Sequence, residues 1–209
     1  MSPPPVGALV LAAGLGRRFG SAKLHAQWRG KPIISFVLDT LALARDRGLI
    51  TNGVVVHRPD DIETPRMARE HGFEPHRNSR PATGMASSLR LGLNALAAER
   101  WQPLEGALVV MGDQPLLRVD VIESLVLALQ PPVDVVRPRY SADPEAPGHP
   151  VIVHRRLWAR ARSLTGDHGF RGMEAWSEVR LEIIPIEGDN PDIDTPDDLA
   201  SLEERPAPE

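Results

Sequence analysis

Three apolar runs of strand length, Ala8–Ala12, Gly53–His57 and Ala107–Met111, show almost no alternation with polar residues. A strand with one wet face alternates, so unbroken runs require cover on both faces, as parallel strands have between two layers of helices. Helical periodicity fills the gaps between the runs. Ile33, Ile34, Val37, Leu38 and Leu41 recur at i, i+3/i+4 after Pro32, as do Met85, Leu89, Leu93 and Leu96, and then Val121, Ile122, Leu125, Val126 and Leu129. Strands alternating with such helices predict a three-layer α/β/α architecture, a mostly parallel sheet and right-handed crossovers. Further strands are expected at Val133–Arg137, Pro150–His154 and Leu181–Ile186. The pattern loosens after Ala142, where a proline-rich loop precedes Pro150, and an antiparallel strand is expected in this last third.

Length and composition bound the function. With 209 residues, 42% apolar and 25% charged, the chain is expected to form one globular domain over 1–209, with a core of about 6–202. No apolar run approaches the roughly 20 residues of a membrane span. The start, MSPPPVGALVL, lacks a basic leader, so a cytoplasmic location is expected. The absence of cysteine excludes disulfides, thiolate metal sites and cysteine nucleophiles. A net charge of −4 argues against broad nucleic-acid binding but leaves room for a small anion held by a local basic cluster.

Such a cluster follows the first run. In Leu9–Lys23, LVLAAGLGRRFGSAK, Gly14 and Gly16 suit a dinucleotide fingerprint, but Phe19 stands at its third glycine position. A P-loop is also excluded, because Ala22 and Leu24 flank Lys23 where Gly and Ser or Thr are required. What remains is a backbone free to take positive φ at Gly14, Gly16 and Gly20, whose N–H groups can form an anion nest ringed by Arg17, Arg18 and Lys23. Three cations match a triphosphate better than a diphosphate bridge. The competing reading is a solvated surface turn.

Carboxylates recur at the same expected edge of the sheet. Asp113, just past the third run in VVMGDQPLL, suits either a turn or a ligand of Mg²⁺, which binds with phosphates through one or two protein carboxylates. In NPDIDTPDDLASL, Thr195 as N-cap, Pro196 at the first helical position and Asp198 two residues later form a capping box, leaving Asp194 outside the helix and able to reach a metal. Asp192 is a weaker candidate. NSRPATGMASSLRLGL joins Gly and Ser to a helix start, which favours anions or hydroxyl-rich ligands, although Ser87 or Ser88 could simply cap that helix. His149 and His168 lack a spaced partner and read as loop histidines; the four tryptophans and Met173 read as packing residues.

Leu11-Ala12-Ala13-Gly14-Leu15-Gly16-Arg17-Arg18-Phe19-Gly20-Ser21-Ala22-Lys23 resembles the signature loop L-A-A-G-x-G-x-R-x-G-x-x-K of MobA-like nucleotidyltransferases. Their G-D-x-P and D-I-D-T-P-x-D-L motifs also recur here, and the resemblance runs from about Val6 to Leu202. Ala13 is similar to the molybdenum cofactor cytidylyltransferase branch, since the guanylyltransferase branch typically has L-A-G-G. The resemblance implies a Rossmann-like nucleotidyltransferase fold that transfers CMP from CTP, or another NTP, to the terminal phosphate of a molybdopterin-type cofactor. It implies Mg²⁺ or Mn²⁺ on Asp113 and Asp194, with Arg18 and Lys23 on the triphosphate. Leu11, Ala12, Ala13, Gly14, Gly16, Arg17, Asn78, Gly84, Met85, Ser88 and Gly112 would lie along the nucleotide. The segments around His149 and His168 would face the acceptor, with Arg171 suited to its phosphate. A molybdoenzyme client or chaperone would take the product. Guanylyl transfer and sugar-phosphate activation stay open, as do a non-catalytic binding protein and an NAD-dependent dehydrogenase using Asp60 and Asp61.

Overall fold

The computed structural model describes residues 3–14, 16, 19, 23–98, 103–166 and 178–204. In chain order these form β1 (Val6–Ala12), β2 (Gln27–Trp28), β3 (Lys31–Pro32), α1 (Ile33–Asp46), β4 (Asn52–His57), α2 (Glu63–Glu70), β5 (Glu74–Arg77), α3 (Met85–Leu96), β6 (Gly106–Met111), α4 (Val119–Ala128), β7 (Val135–Tyr140), β8 (Val151–His154), β9 (Leu181–Ile186) and α5 (Pro196–Glu203). Among the described residues no helix is long and apolar enough to cross a membrane.

Seven strands pair in the order β5-β4-β1-β6-β8-β7-β9. The β4–β5, β1–β4, β1–β6 and β7–β9 pairs are parallel, while β8 runs antiparallel to both neighbours, β6 and β7. The expected antiparallel strand is therefore β8. From β1 the chain builds outward to β4 and β5, then crosses to the other side of β1 to form β6. This reversal opens a crevice beyond the carboxyl ends of β1 and β6, where ligands bind in open sheets of this kind.

The middle strand explains its own composition. Val6, Ala8, Val10 and Ala12 enter one core with α1, α2 and α4 residues such as Leu38, Met67 and Ile122. Leu9, Leu11 and Ala13 enter a second core with Ala86, Leu89 and Leu93 of α3. Every β1 side chain is thus covered, and a polar residue at any of these positions would lose the burial that contributes about 1.5–3 kcal/mol for a large aliphatic side chain. Gly92 lets α3 approach this strand: a Cβ there would lie 2.1 Å from Leu9 Cδ1.

A third cluster fixes the chain on which the late aspartates lie. Arg29 and Gly30 take φ of 49° and 77°, the pair of positive values of a two-residue type I′ turn between β2 and β3. That hairpin buries Trp28 against Phe36, with ring centroids 4.5 Å apart, and against Ile33, Ile193 and Leu202. Ile193, between Asp192 and Asp194, is thereby anchored to α1 and α5.

Candidate active site

β1 and β6 end side by side, and two backbone bonds hold the segments that follow them. The Gly112 N–H donates to the Leu11 carbonyl at 3.0 Å, and the Ile193 N–H donates to the Asp113 carbonyl at 3.0 Å. Asp113 thus lies beside the segment carrying Asp192 and Asp194. Buried Gln114 and Asn190 reinforce the joint: Gln114 Nε2 donates to the Asn190 carbonyl at 3.1 Å and Asn190 Nδ2 to Gln114 Oε1 at 3.3 Å. The expected capping box is present in α5. Thr195 Oγ1 accepts from the Asp198 N–H at 3.2 Å, and Asp198 Oδ2 accepts from the N–H groups of Thr195 at 2.7 Å and Asp194 at 2.9 Å. Asp198 therefore holds the Asp194 backbone and leaves the Asp194 carboxylate to point elsewhere.

That carboxylate meets Lys23, which opens a short 3₁₀ turn over Lys23–His25 after the glycine loop. Lys23 Nζ lies 2.5 Å from Asp113 Oδ2 and 2.7 Å from Asp194 Oδ1. The lysine is only 8% exposed. Burial works against its charge, but the Asp113 and Asp194 carboxylates outweigh burial and hold its pKa above the ordinary amine value. The other Asp113 oxygen, Oδ1, is buried and accepts no hydrogen bond among the described residues. Asp192 has much of its surface open, yet partial burial of its carboxyl, with repulsion from Asp113 and Asp194, pushes it up to about 6 against the pull of Lys23.

Beside this cluster lies a cavity of about 690 Å³ lined by Leu11, Ala12, Ala13, Gly14, Gly16, Lys23, Gly84, Met85, Ser88 and Asp113, all named from the sequence. Gly16 takes the positive φ expected of the loop, 53°, and its carbonyl accepts from the Phe19 N–H at 3.1 Å; Gly14 does not enter that region. Across the cavity, Asn78 is buried behind the wall. Its Nδ2 donates to Ser87 Oγ at 2.8 Å and Ser88 Oγ at 2.9 Å, and its Oδ1 accepts from the Arg80 N–H at 2.9 Å. Neither serine caps α3, whose N-cap is Gly84. Gly84 takes φ of 93° against the backbone of Gly166, where a Cβ would lie 2.4 Å from the Gly166 carbonyl carbon. Gly112 is buried below the Asp113 turn. Arg17, Arg18, His168, Arg171 and Met173 lie outside the described residues.

Sequence reading missed part of the lining. His25, Arg58 and Asp61 also face this cavity. Asp61 Oδ1 accepts from the N–H groups of Glu63 at 3.1 Å and Thr64 at 2.9 Å and lies 3.2 Å from His25 Nε2. Despite burial, these partners hold its carboxyl well below the usual carboxylate range. Asp61 thus serves the start of α2. The signal that could have found this wall is topological, since β4 lies beside β1 and its following loop must border the same crevice.

A second cavity, of about 570 Å³, opens on the other side of the carboxylates. It is lined by Gln114, Arg137, Tyr140, His149, Asn190 and Asp192 among others, and Met85 borders both cavities. Tyr140 Oη donates to the His149 carbonyl at 2.9 Å, and burial pushes the phenol up to about 12. His149 thus lines this second cavity.

The family model for a MobA-like NTP transferase domain matches residues 8–181. The chain belongs to this family. It is a nucleotidyltransferase of the MobA type, and the dehydrogenase alternative is removed. A protein named probable molybdenum cofactor guanylyltransferase from Bacillus licheniformis is 30% identical over 151 residues, covering 71% of this chain and 68% of that protein. One of the same name from Deinococcus radiodurans is 29% identical over 162 residues, covering 77% and 73%. In fold, the crystal structure of Rv0371c from Mycobacterium tuberculosis matches with a TM-score of 0.76 over 98% of this chain and 100% of that one, at 22% identity.

Proposed function

We propose that the protein transfers a nucleotidyl group from an NTP to the terminal phosphate of a molybdopterin-type cofactor, releasing pyrophosphate. The observation that carries this reading is the Lys23–Asp113–Asp194 cluster, flanked by one cavity that Asp113 lines and a second that Asp192 lines. Two substrates in the two cavities would meet at these carboxylates. The names of the Bacillus and Deinococcus relatives support a molybdenum cofactor as acceptor.

The residues suit a divalent cation, Mg²⁺ or Mn²⁺. Asp113 and Asp194 already converge on one positive charge, and Asp113 Oδ1 is a buried acceptor without a donor among the described residues. Among the described residues no group of three or more His, Cys, Asp or Glu side chains could hold an ion by itself. Two carboxylates completed by substrate phosphates is the arrangement Mg²⁺ commonly takes. When bound, the ion offsets charge on the phosphates and polarises the α-phosphoryl group.

The protein's own part is positioning and charge. The glycine loop of Ala13, Gly14 and Gly16, with Arg17, Arg18 and Lys23, would hold the triphosphate, and Gly84, Met85 and Ser88 would border base or ribose. Asn78 would act by fixing the two serines, and Gly112 by seating Asp113. An acceptor phosphate oxygen would attack the α-phosphorus in line as the bond to the β-phosphate breaks. An ionised phosphate monoester is already nucleophilic, so no side chain has to remove a proton. A molybdoenzyme client or chaperone would receive the dinucleotide in the cytoplasm.

Ala13 favours CTP as donor. The guanylyltransferase names of both relatives favour GTP as the second reading. Pyrophosphate release measured with each of the four NTPs and molybdenum-loaded molybdopterin separates them. CTP is expected to give the highest kcat/KM; a GTP preference would establish the second reading, and no release with any NTP would refute both.

A further inference from the structure

Lys23 is placed where a phosphate-binding lysine has no need to be. Its ammonium sits between one oxygen of Asp113 and one of Asp194, at 2.5 and 2.7 Å. These are the two side chains that the proposed function gives to a divalent cation, and the present inference rests on that reading. We infer that Lys23 is an exchangeable internal cation: it holds Asp113 and Asp194 together in the substrate-free protein, and the divalent ion displaces it toward the triphosphate.

Three observations carry this. First, Asp113 and Asp194 each set an oxygen against the same ammonium, so two like charges converge on one point and their repulsion is offset by the positive charge between them. The Ile193–Asp113 backbone bond and the α5 capping box fix both segments regardless of Lys23, so the pair persists and its counter-charge can change. Second, ammonium and divalent ion are mutually exclusive. A divalent ion held by both carboxylates would need the space between them that the Lys23 ammonium fills. Third, Lys23 has somewhere to go. It lines the larger cavity together with Gly14 and Gly16, and its stem of four rotatable carbons can carry the ammonium there without backbone movement. A permanent structural ion pair would explain the two contacts, but it would leave the proposed metal site closed.

The exchange couples the two ligands. The ion alone must expel Lys23 from a partly buried double ion pair, whereas a triphosphate offers the released ammonium a new anionic partner. Each ligand therefore strengthens the other, and by linkage the gain is equal in both directions.

The test is Mn²⁺ binding without nucleotide, followed by electron paramagnetic resonance, for wild type, Lys23→Met and the double variant Lys23→Met/Asp113→Asn. Lys23→Met is expected to bind Mn²⁺ about 10-fold more tightly than wild type, within the 5–150-fold range of typical couplings, and the added Asp113→Asn to remove that gain. Equal or weaker binding by Lys23→Met than by a wild type that does bind overturns the exchange alone. No binding by either protein, even with a non-hydrolysable CTP or GTP analogue, overturns the metal reading and the exchange with it. Should Lys23→Met not fold, wild type decides through the ¹⁵N signal of its Lys23 ammonium. That signal should shift or vanish as Mg²⁺ and analogue are added; an unchanged signal when Mg²⁺ and analogue are demonstrably bound overturns the proposal.

Discussion

At Asp192, crowding by protein and the nearby charges of Asp113 and Asp194 both oppose ionisation, and its carboxyl stands at about 6 against 3.8 for the free group. Between pH 4 and 6 the folded protein holds a proton that the unfolded chain has released, so this residue's contribution to stability falls as pH rises through that window. Above it, an ionised Asp192 is repelled by its neighbours. Asp192→Asn, uncharged throughout, should therefore raise the melting temperature at pH 8 and lose this advantage at pH 4. A gain of equal size at both pH values, read by calorimetry, would show that charge is not the cause. The nearby aspartates were legible as a cluster because D-I-D-T-P carries its own capping logic. Their joint hold on Lys23 was not, since that contact spans 171 residues of sequence for Asp194 and leaves no local pattern.

The elements divide by how they are buried. β1, β4 and β6 could be read directly because both faces of each are covered by helices, and α1, α3 and α4 because a broad apolar stripe faces the sheet. β7 begins at Val135 and extends to Tyr140, beyond the expected Arg137, because its pairing with β9 continues through Pro138 and Arg139 to Tyr140. Three pieces escaped. α2, ETPRMARE, buries Thr64, Met67 and Ala68 at i, i+3, i+4, but it is eight residues long and Met67 is the one large apolar side chain on that stripe. β5, EPHR, is an edge strand with polar residues and a proline, and receives its order from β4. The β2–β3 hairpin has two residues per strand and is held by Trp28 in its cluster. Packing between elements gives a prediction of its own. Gly92→Ala improves helix propensity by about 1 kcal/mol but forces a methyl into Leu9, and overpacking of this kind costs roughly 1–3 kcal/mol. Net destabilisation is expected, seen as a lower urea midpoint with an unchanged slope; a stabilised variant would mean that α3 does not approach β1 this closely.

For the whole molecule, strand order determines where chemistry can occur. β1 and β6 lie side by side at the reversal of the sheet, so the glycine loop and Asp113 face one crevice, and α5 returns the last aspartates to the same place. Sequence could place all three segments at one edge of the sheet. It could not show that the loop after β4 brings Arg58 and Asp61 beside His25 in a shared wall, nor that the crevice divides into two cavities around the carboxylates, because both facts depend on lateral order and loop packing. Two substrate spaces meeting at a pair of acidic side chains is the structural basis for nucleotidyl transfer in this account. Pyrophosphate release by Asp113→Asn, with NTP and acceptor at saturation and nucleotide binding measured in parallel, tests it most directly. At saturating NTP, turnover is expected to fall by about 10²-fold or more, the scale on which lost transition-state charge stabilisation is felt; turnover equal to wild type would contradict the proposed role of the carboxylates.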